Sequence, residues 1–193
     1  MLQGLYDWTM RLGASRHAVW ALAAVAFVES SFFPIPPDIL LIPMILAARN
    51  QAWRLAAICT VASVLGGYFG YLIGLTLFES VGEPVIAFYG MEHAFASFTE
   101  KYNEFGAWIV FTFGVTPFPY KVVTIASGVT QLDPVVFGIT SAAARGLRFF
   151  LVAGLIWYFG PPIRAFVERY LGWVALAFII LLIGGFVLIK FVF

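Results

Sequence analysis

The stretch Pro34-Ile35-Pro36-Pro37-Asp38 decides the fold, because it interrupts an apolar segment that would otherwise continue as one helix. Proline lacks a backbone N–H and clashes with the preceding turn, so it breaks helices. A second stretch of the same form, Pro117-Phe118-Pro119-Tyr120-Lys121, lies in the second half of the chain. The charged residue at the matching position has the opposite sign, Lys121 in place of Asp38. The sequence therefore predicts two helix breaks within apolar sequence, at Pro34, Pro36, Pro37, Pro117 and Pro119.

The composition indicates an integral membrane protein. Of the 193 residues, 62% are hydrophobic and 11% are charged, and the mean hydropathy is +0.96. Soluble domains have about 45–50% apolar and about 25% charged residues. At this length, residues 1–193 are predicted to form a single membrane domain without a separate catalytic module. The net charge of +1 argues against a nucleic-acid-binding surface, so no nucleic acid is expected as a partner.

The apolar segments that flank the breaks are too short to cross a bilayer alone. Residues 39–48 would form a helix of about 15 Å, which is half of the hydrocarbon core of about 30 Å. Such lengths are typical of re-entrant hairpins. Residues 52–78 and 135–159 are each long enough for a spanning helix, and residues 171–189 form a third apolar span without charges. Amphipathic surface helices are predicted where glutamates alternate with aromatic residues, at 79–104, and at residues 2–12.

These segments predict an all-α integral membrane protein with an inverted repeat, in which each re-entrant helical hairpin is followed by a spanning helix. Repeat 1 is placed at about 18–78 and repeat 2 at about 105–160. The amphipathic connector 79–104 joins them, and a C-terminal transmembrane helix follows at about 171–190. In an alternative topology, each break is only a kink within one crossing helix.

The distribution of basic residues favours the hairpins, because Lys and Arg concentrate in cytoplasmic loops. Hairpins place most of the loop cations on one side of the membrane, whereas single crossings divide them more evenly. This side holds Arg11, Arg16, Arg49, Arg54, Arg164 and Arg169, against Lys101 and Lys190 on the other. The prediction is a cytoplasmic N-terminus and an outward C-terminus.

Five charged residues remain within the apolar segments: Glu29, Asp38, Lys121, Arg145 and Arg148. An ionisable side chain at the bilayer centre costs about 2.5–3.5 kcal/mol on insertion scales. The set therefore predicts a transport site, although pairing for packing alone would also explain it. Arg145 and Arg148 lie three residues apart, so both could reach one lipid phosphate. Glu29 or Asp38 is a candidate for carrying a coupling proton.

Four motifs resemble the DedA family, also described as VTT-domain or SNARE-associated membrane proteins, and its YqaA-like branch. They are residues 29–38 (ESSFFPIPPD), the glycine-rich residues 66–74, residues 114–121 (GVTPFPYK) and residues 145–150 (RGLRFF). The resemblance covers about residues 18–190. It implies opposed re-entrant hairpins in a bacterial inner membrane and translocation of phospholipids or undecaprenyl phosphate, with proton coupling proposed for some members.

The resemblance also implies roles for individual residues. Glu29 and Asp38 match the acidic positions of the family, and Lys121 lies where many members have the second of two arginines. The first arginine is missing, since Val115 lies near its place. Arg145 or Arg148 is the candidate to supply that charge.

The leading prediction is a flippase or scramblase for phosphate-bearing lipids, and the alternative is a proton- or ion-coupled transporter of a small solute. An enzyme is not expected, because the chain has only two histidines, His17 and His93, and no metal-spaced cluster or hydrolytic triad. No metal or cofactor is predicted. Membrane lipids are the expected partners. The sequence does not decide whether transport is coupled to protons or whether the protein forms a homo-oligomer.

Overall fold

The computed structural model describes residues 17–33, 35–116 and 119–160, and the regular secondary structure in these ranges is entirely helical. In chain order, the helices are α1 (Ala18–Ser31), α2 (Asp38–Ala47), α3 (Ala52–Leu77), α4 (Glu83–Phe88), α5 (Glu92–Glu104), α6 (Gly106–Val115), α7 (Tyr120–Val129) and α8 (Pro134–Phe159). The prediction of an all-α fold is confirmed for this part of the chain. The predicted helices at 2–12 and 171–190, and the prolines Pro34 and Pro117, lie outside the described residues.

The chain leaves the helical conformation at both predicted breaks. Helix α1 ends at Ser31 and α2 begins at Asp38, directly after Pro37, whose φ of −65° suits the entry to a helix. In the second half of the chain, Pro119 is extended and α7 begins directly after it. Each break therefore separates two short helices rather than bending one.

The two long helices, α3 and α8, have 26 residues each, and by length and composition both can cross a membrane. Each is about 39 Å long at 1.5 Å per residue, which exceeds the hydrocarbon core of about 30 Å. They run antiparallel, because residues early in α3 meet residues late in α8. The ring of Trp53 stacks on Phe150, and the hydroxyl of Tyr68 donates to the carbonyl of Pro134.

Helix α3 does not stop where the predicted connector begins. A short π-helical stretch, Phe78–Gly82, carries the chain on into α4. Helix α5 then packs against the end of α7, where the hydroxyls of Tyr102 and Ser127 share a hydrogen bond of 3.0 Å. The charged side chains of α5 stay exposed, as expected of a surface segment.

Two apolar clusters fill the interior of the described residues, and each includes residues from both halves of the chain. The first joins α1, α2, the beginning of α3 and the end of α8. The second joins α6, α7, the end of α3 and the beginning of α8. Between them lies a layer of buried polar side chains that includes Ser30, Ser63, Thr124, Ser141 and Arg145. This polar layer contains the residues that the sequence singled out.

Glycines allow α1 and α7 to approach α3 at backbone distance. A Cβ atom on Gly66 would collide with the carbonyl group of Phe27 in α1, and one on Gly74 would collide with that of Ile125 in α7. Gly128 of α7 meets the carbonyl of Tyr71 in the same way. The glycine-rich sequence therefore serves close helix packing.

Candidate functional site

Four of the five predicted charges form two ion pairs where the first break meets the middle of α8. Arg145 Nη2 lies 2.7 Å from Glu29 Oε2, and Arg148 Nη2 lies 2.7 Å from Asp38 Oδ2. Glu29 lies near the end of α1, and Asp38 is the first residue of α2. Two basic residues of the second half therefore neutralise two acidic residues of the first.

The two arginines of α8 have different partners. Each guanidinium engages a different carboxylate, and the prediction that Arg145 and Arg148 together bind one phosphate stays a prediction. The reason is the first break, which places one carboxylate before it and one after it. In the described structure, both arginines are thus already matched by opposite charges.

A closed ring of hydrogen bonds fixes Arg145 and Glu29. Arg145 Nε donates to the hydroxyl of Ser63 at 2.6 Å, and the hydroxyls of Ser63 and Ser30 lie 2.6 Å apart. The hydroxyl of Ser30 in turn donates to Glu29 Oε2 at 3.1 Å. Each serine hydroxyl has one proton, and Ser30 donates its proton to Glu29. Ser63 must therefore be the donor in its hydrogen bond with Ser30. The ring then closes through the ion pair.

Aromatic rings enclose the guanidinium of Arg145, which is fully buried. Its central carbon lies 4.9 Å from the ring centroid of Tyr120 and 4.7 Å from that of Phe149. Cation–π contacts of this kind stabilise a desolvated guanidinium. The hydroxyl of Tyr120 donates to Ser141, which fixes the orientation of the ring.

The outer ion pair is more accessible, since the side chains of Arg148 and Asp38 are 17% and 21% exposed. Asp38 occupies the first turn of α2, where a negative charge interacts favourably with the helix dipole. Lys121 lies at the same junction, and its ammonium group is 3.4 Å from the carbonyl of Phe32. Within the described residues, no carboxylate lies within ion-pair distance of Lys121. The second break thus adds a third cation beside the first break.

A hydrogen bond and close packing of Thr124 also hold the two breaks together. The hydroxyl of Thr124 in α7 donates to the carbonyl of Ser30 at 3.1 Å. Thr124 also contacts Gly70 of α3, which has no side chain to separate them. The structure therefore brings all five charges that the sequence selected into one region.

Several residues of this region were not predicted as site residues, namely Ser30, Ser63, Tyr120, Ser141 and Phe149. Tyr120 lies inside the second proline motif, and Phe149 directly follows Arg148, so proximity in sequence was the available signal. Ser63 lies three residues before Gly66 in a mostly apolar helix. A lone serine there gives no sign of its partner on another helix.

Substitution of Ser63 by alanine is expected to lower the free energy of unfolding by about 1–2 kcal/mol, because Arg145 Nε would lose its acceptor in a buried position. Thermal or denaturant unfolding in detergent measures this change. Ser80→Ala is the control, since the exposed hydroxyl of Ser80 bonds only to its own helix. Equal stability of the Ser63→Ala protein and the wild type would contradict the hydrogen-bonded ring.

An apolar groove of about 160 Å³ runs beside the first break. It is lined by Ala24, Val25, Val28, Phe33 and Ile35. Three of these residues belong to α1, and Phe33 and Ile35 belong to the first break. A hydrocarbon chain fits such a lining better than a polar molecule does.

Comparison with known proteins identifies the family. The model of the VTT domain matches residues 35–158, a range that includes Asp38, Lys121, Arg145 and Arg148. A protein of Haemophilus influenzae is 34% identical over 186 residues, which cover 96% of both chains. A protein of Histophilus somni is 33% identical over 186 residues, which cover 96% of this chain and 97% of that protein. Both are described as uncharacterized proteins.

No solved structure gives a significant match to the chain. The YqaA-like branch stays a prediction. The match to the VTT domain covers well over half of the sequence and includes both break regions. The resemblance found in the motifs is confirmed, and the chain belongs to the DedA family of VTT-domain membrane proteins.

Proposed function

We propose that this protein is a flippase or scramblase that moves phosphate-bearing lipids, such as undecaprenyl phosphate or phospholipids, across the bilayer. The observation that carries the proposal is the cluster of Arg145, Arg148 and Lys121 where the two helix breaks meet. Guanidinium and ammonium groups recognise phosphate oxygens by charge-assisted hydrogen bonds. Membership of the DedA family agrees with a role in membrane transport.

The depth of the cluster supports translocation rather than surface binding. Ser30, at the end of α1, contacts Ser63 near the middle of α3, and Asp38, at the start of α2, contacts Arg148 near the middle of α8. If α3 and α8 cross the membrane, the cluster lies close to the midplane. Charges at this depth are typical of transport pathways.

The helix lengths support two opposed re-entrant hairpins. A helix of 14 residues, a break and one of 10 residues precede α3, and two helices of 10 residues with a break precede α8. Since α3 and α8 are antiparallel, the two units have opposite directions, as in an inverted repeat. A kink in a single crossing helix would not need the chain to leave the helix.

A contact between the end of α8 and the start of the α3 region supports an orientation in the bacterial inner membrane. Gly160, at the end of α8, packs against the guanidinium of Arg49, so both lie at the same end of the long helices as Arg54. The positive-inside rule places this basic end in the cytoplasm. That orientation agrees with the predicted cytoplasmic N-terminus and outward C-terminus.

The ion pairs suggest how transport is coupled to protons. Each carboxylate binds an arginine guanidinium to which a lipid phosphate would bind during transport. Protonation of Glu29 or Asp38 would remove the competing charge and release Arg145 or Arg148 for the lipid. The chain would act as a carrier without covalent chemistry, and we propose no enzymatic activity for it.

The apolar groove favours a lipid over a small polar solute. Its five lining residues are all hydrophobic, and they belong to α1 and to the first break. A headgroup at the cluster could therefore leave its acyl or prenyl chain in an apolar environment. A solute transporter would need a polar vestibule at this place.

Substitution of Lys121 by glutamine is expected to reduce lipid movement at least tenfold, because the junction would lose a cation that has no carboxylate partner among the described residues. Purified protein in vesicles with a fluorescent phospholipid in both leaflets measures the movement by dithionite quenching. Lys101→Gln, at an exposed position of α5, is the matched control and should move lipid like the wild type. Wild-type rates in the Lys121→Gln protein would contradict the proposed site.

A further inference from the structure

An arm of two helices extends the chain beyond the end of α3. The π-helical stretch Phe78–Gly82 and α4 continue α3 without leaving the helical conformation, so that one helix of 40 residues ends at Phe88. Helix α5 then folds back beside it, since the rings of Phe78 and Phe95 stack with their centroids 4.7 Å apart. Together, residues 78–104 form the α4–α5 arm.

The arm is too far along the helix to lie within the hydrocarbon core. Phe88 follows Ser63 of the polar layer by 25 residues, which is about 37 Å of helix at 1.5 Å per residue. The hydrocarbon core extends about 15 Å from its midplane, and each headgroup region adds about 5–7 Å. If Ser63 lies near the midplane, as the proposed function places it, the far end of the arm lies in water beyond the headgroups.

Helix α4 and the stretch before it expose an apolar stripe. Val81, Val85 and Phe88 are spaced at i, i+4 and i+7, so they share one face of the helix. Their exposed fractions are 57%, 47% and 83%, and no described residue covers them. The ring of Tyr89, 70% exposed, packs edge-on against the ring of Phe88 at the end of the stripe. A contiguous apolar surface of this kind in water marks an interaction site.

The same arm carries a concentrated negative charge. It has five glutamates against one lysine, which gives a formal net charge of −4 with His93 neutral. All five glutamates are exposed, and none forms a salt bridge with another described residue. They are Glu79, Glu83, Glu92, Glu100 and Glu104. A partner that fits this surface therefore combines apolar with basic side chains.

We propose that the apolar stripe of the α4–α5 arm docks a basic amphipathic helix of another protein on the outward side of the membrane. The stripe covers about two helical turns, and its spacing is that of a helix face that packs against a second helix. Lysines and arginines beside the apolar face of the partner meet the glutamates, which steers the encounter and fixes the register. Phe88 and Tyr89 are the aromatic anchors of the contact.

Charge distinguishes this partner from three other occupants of the stripe. Helices that lie on a membrane surface are rich in lysine and arginine, whereas the arm is acidic. A second copy in the same orientation presents an arm of the same charge, and its Arg49 and Arg54 lie at the opposite end of α3. Residues 171–189 of this chain have no charged side chain to meet the glutamates.

Peptide binding to the full chain in phosphatidylcholine nanodiscs tests the proposal. The probe is a fluorescent helical peptide of leucine and lysine, and the same peptide with glutamate in place of lysine is its control. Fluorescence anisotropy should show that the basic peptide binds nanodiscs with the protein at least about tenfold more tightly than empty nanodiscs. High salt should weaken this binding, because it screens exposed charges. Equal binding to both kinds of nanodisc, no binding, or equal binding of the acidic peptide would overturn the proposal.

Two double variants assign the binding to the arm. Val85→Ser with Phe88→Ser should lower the affinity at least about tenfold, since the apolar anchors are lost. Glu83→Gln with Glu92→Gln should lower both the affinity and its salt dependence. Val135→Ser, at an exposed position of α8, is the matched control and should bind the peptide like the wild type. Wild-type affinity in both double variants would overturn the assignment.

The same variants separate docking from the proposed lipid transport, because the arm lies outside the charged cluster. Both double variants should move lipids at the wild-type rate. Loss of peptide binding with normal lipid movement supports docking at the arm, whereas a wild-type protein that binds the peptide without moving lipids would contradict only the proposed transport.

A Phe88→Cys protein reports what surrounds the stripe. In nanodiscs, a membrane-impermeant maleimide should label this variant rapidly, whereas the native Cys59 is buried and should stay unlabelled in the wild type. Protection of the new thiol would assign the stripe to lipid or to residues 171–189. Rapid disulfide formation between two copies would assign it to self-association. Either result would overturn the proposal.

Discussion

The Arg145→Met protein is expected to lose about 3–5 kcal/mol of unfolding free energy, because Glu29 would keep a largely buried negative charge without its partner. Methionine fills much of the space between Tyr120 and Phe149, so loss of packing is limited. Denaturant unfolding of the purified protein in detergent measures the change. Lipid movement in vesicles should be abolished at the same time, since the innermost cation of the cluster is gone.

A double variant separates charge from packing. Glu29→Gln together with Arg145→Met removes both buried charges, and it should recover much of the stability lost in the single variant. Arg54→Met, at an exposed position of α3, is the control for the loss of an arginine and should change stability by less than about 0.5 kcal/mol. If the double variant is as unstable as Arg145→Met alone, the ion pair does not explain the role of Arg145.

Replacing Gly74 by leucine is expected to cost about 3 kcal/mol or more, at the upper end of what overpacking costs. The obstacle is the backbone carbonyl of Ile125, which cannot turn away as a side chain could. Helix α7 would have to move off α3, and Lys121 and Thr124 would move with it. The thermal midpoint in detergent and the rate of lipid movement should both fall.

The control for this prediction is another helical glycine. A Cβ atom on Gly146 would meet only the methyl group of Thr60 at 3.7 Å, an ordinary van der Waals contact. Gly146→Ala should therefore keep or slightly raise stability, because alanine favours helix more than glycine does. Similar losses in Gly74→Leu and Gly146→Ala would show that close backbone packing of α3 and α7 is not what Gly74 provides.

The helix breaks and the selection of the charged residues were predictable because they depend on local rules. Proline cannot continue a helix, and a charge in apolar sequence is costly wherever it lies. The start of α2 after Pro37 and of α7 after Pro119 follows from these rules. The opposed breaks likewise predicted that the five charged residues would lie in one region. These residues are Glu29, Asp38, Lys121, Arg145 and Arg148.

The pairing of these charges could not be read from spacing. Glu29 and Arg145 are 116 positions apart, and their contact depends on how closely α1 and α8 both approach α3. The sequence suggested an acidic break for protons and a basic one for phosphate. In the structure, the acidic groups of the first break form ion pairs with the two arginines of α8. The roles of Ser63 and Tyr120 depend on the same approach of three helices, which no local pattern encodes.

If the protein moves lipids as proposed, the burial of the two ion pairs predicts an order of events. The pair of Arg148 and Asp38 is partly exposed, whereas the side chain of Arg145 is fully buried. We expect an incoming headgroup to meet Lys121 and the outer pair first. Access to Arg145 then requires the first break to separate from α8, which opening of the outer pair would allow.

The most direct test of the central claim compares two lipids that differ in the phosphate. Vesicles with the purified wild-type protein would contain either a fluorescent phosphatidylethanolamine or a fluorescent glycolipid without phosphate, with protein-free vesicles as the baseline. The charged cluster predicts rapid movement of the phospholipid and baseline movement of the glycolipid. Equal movement of both lipids, or movement of neither above the baseline, would contradict a phosphate-lipid pathway at the junction of the two breaks.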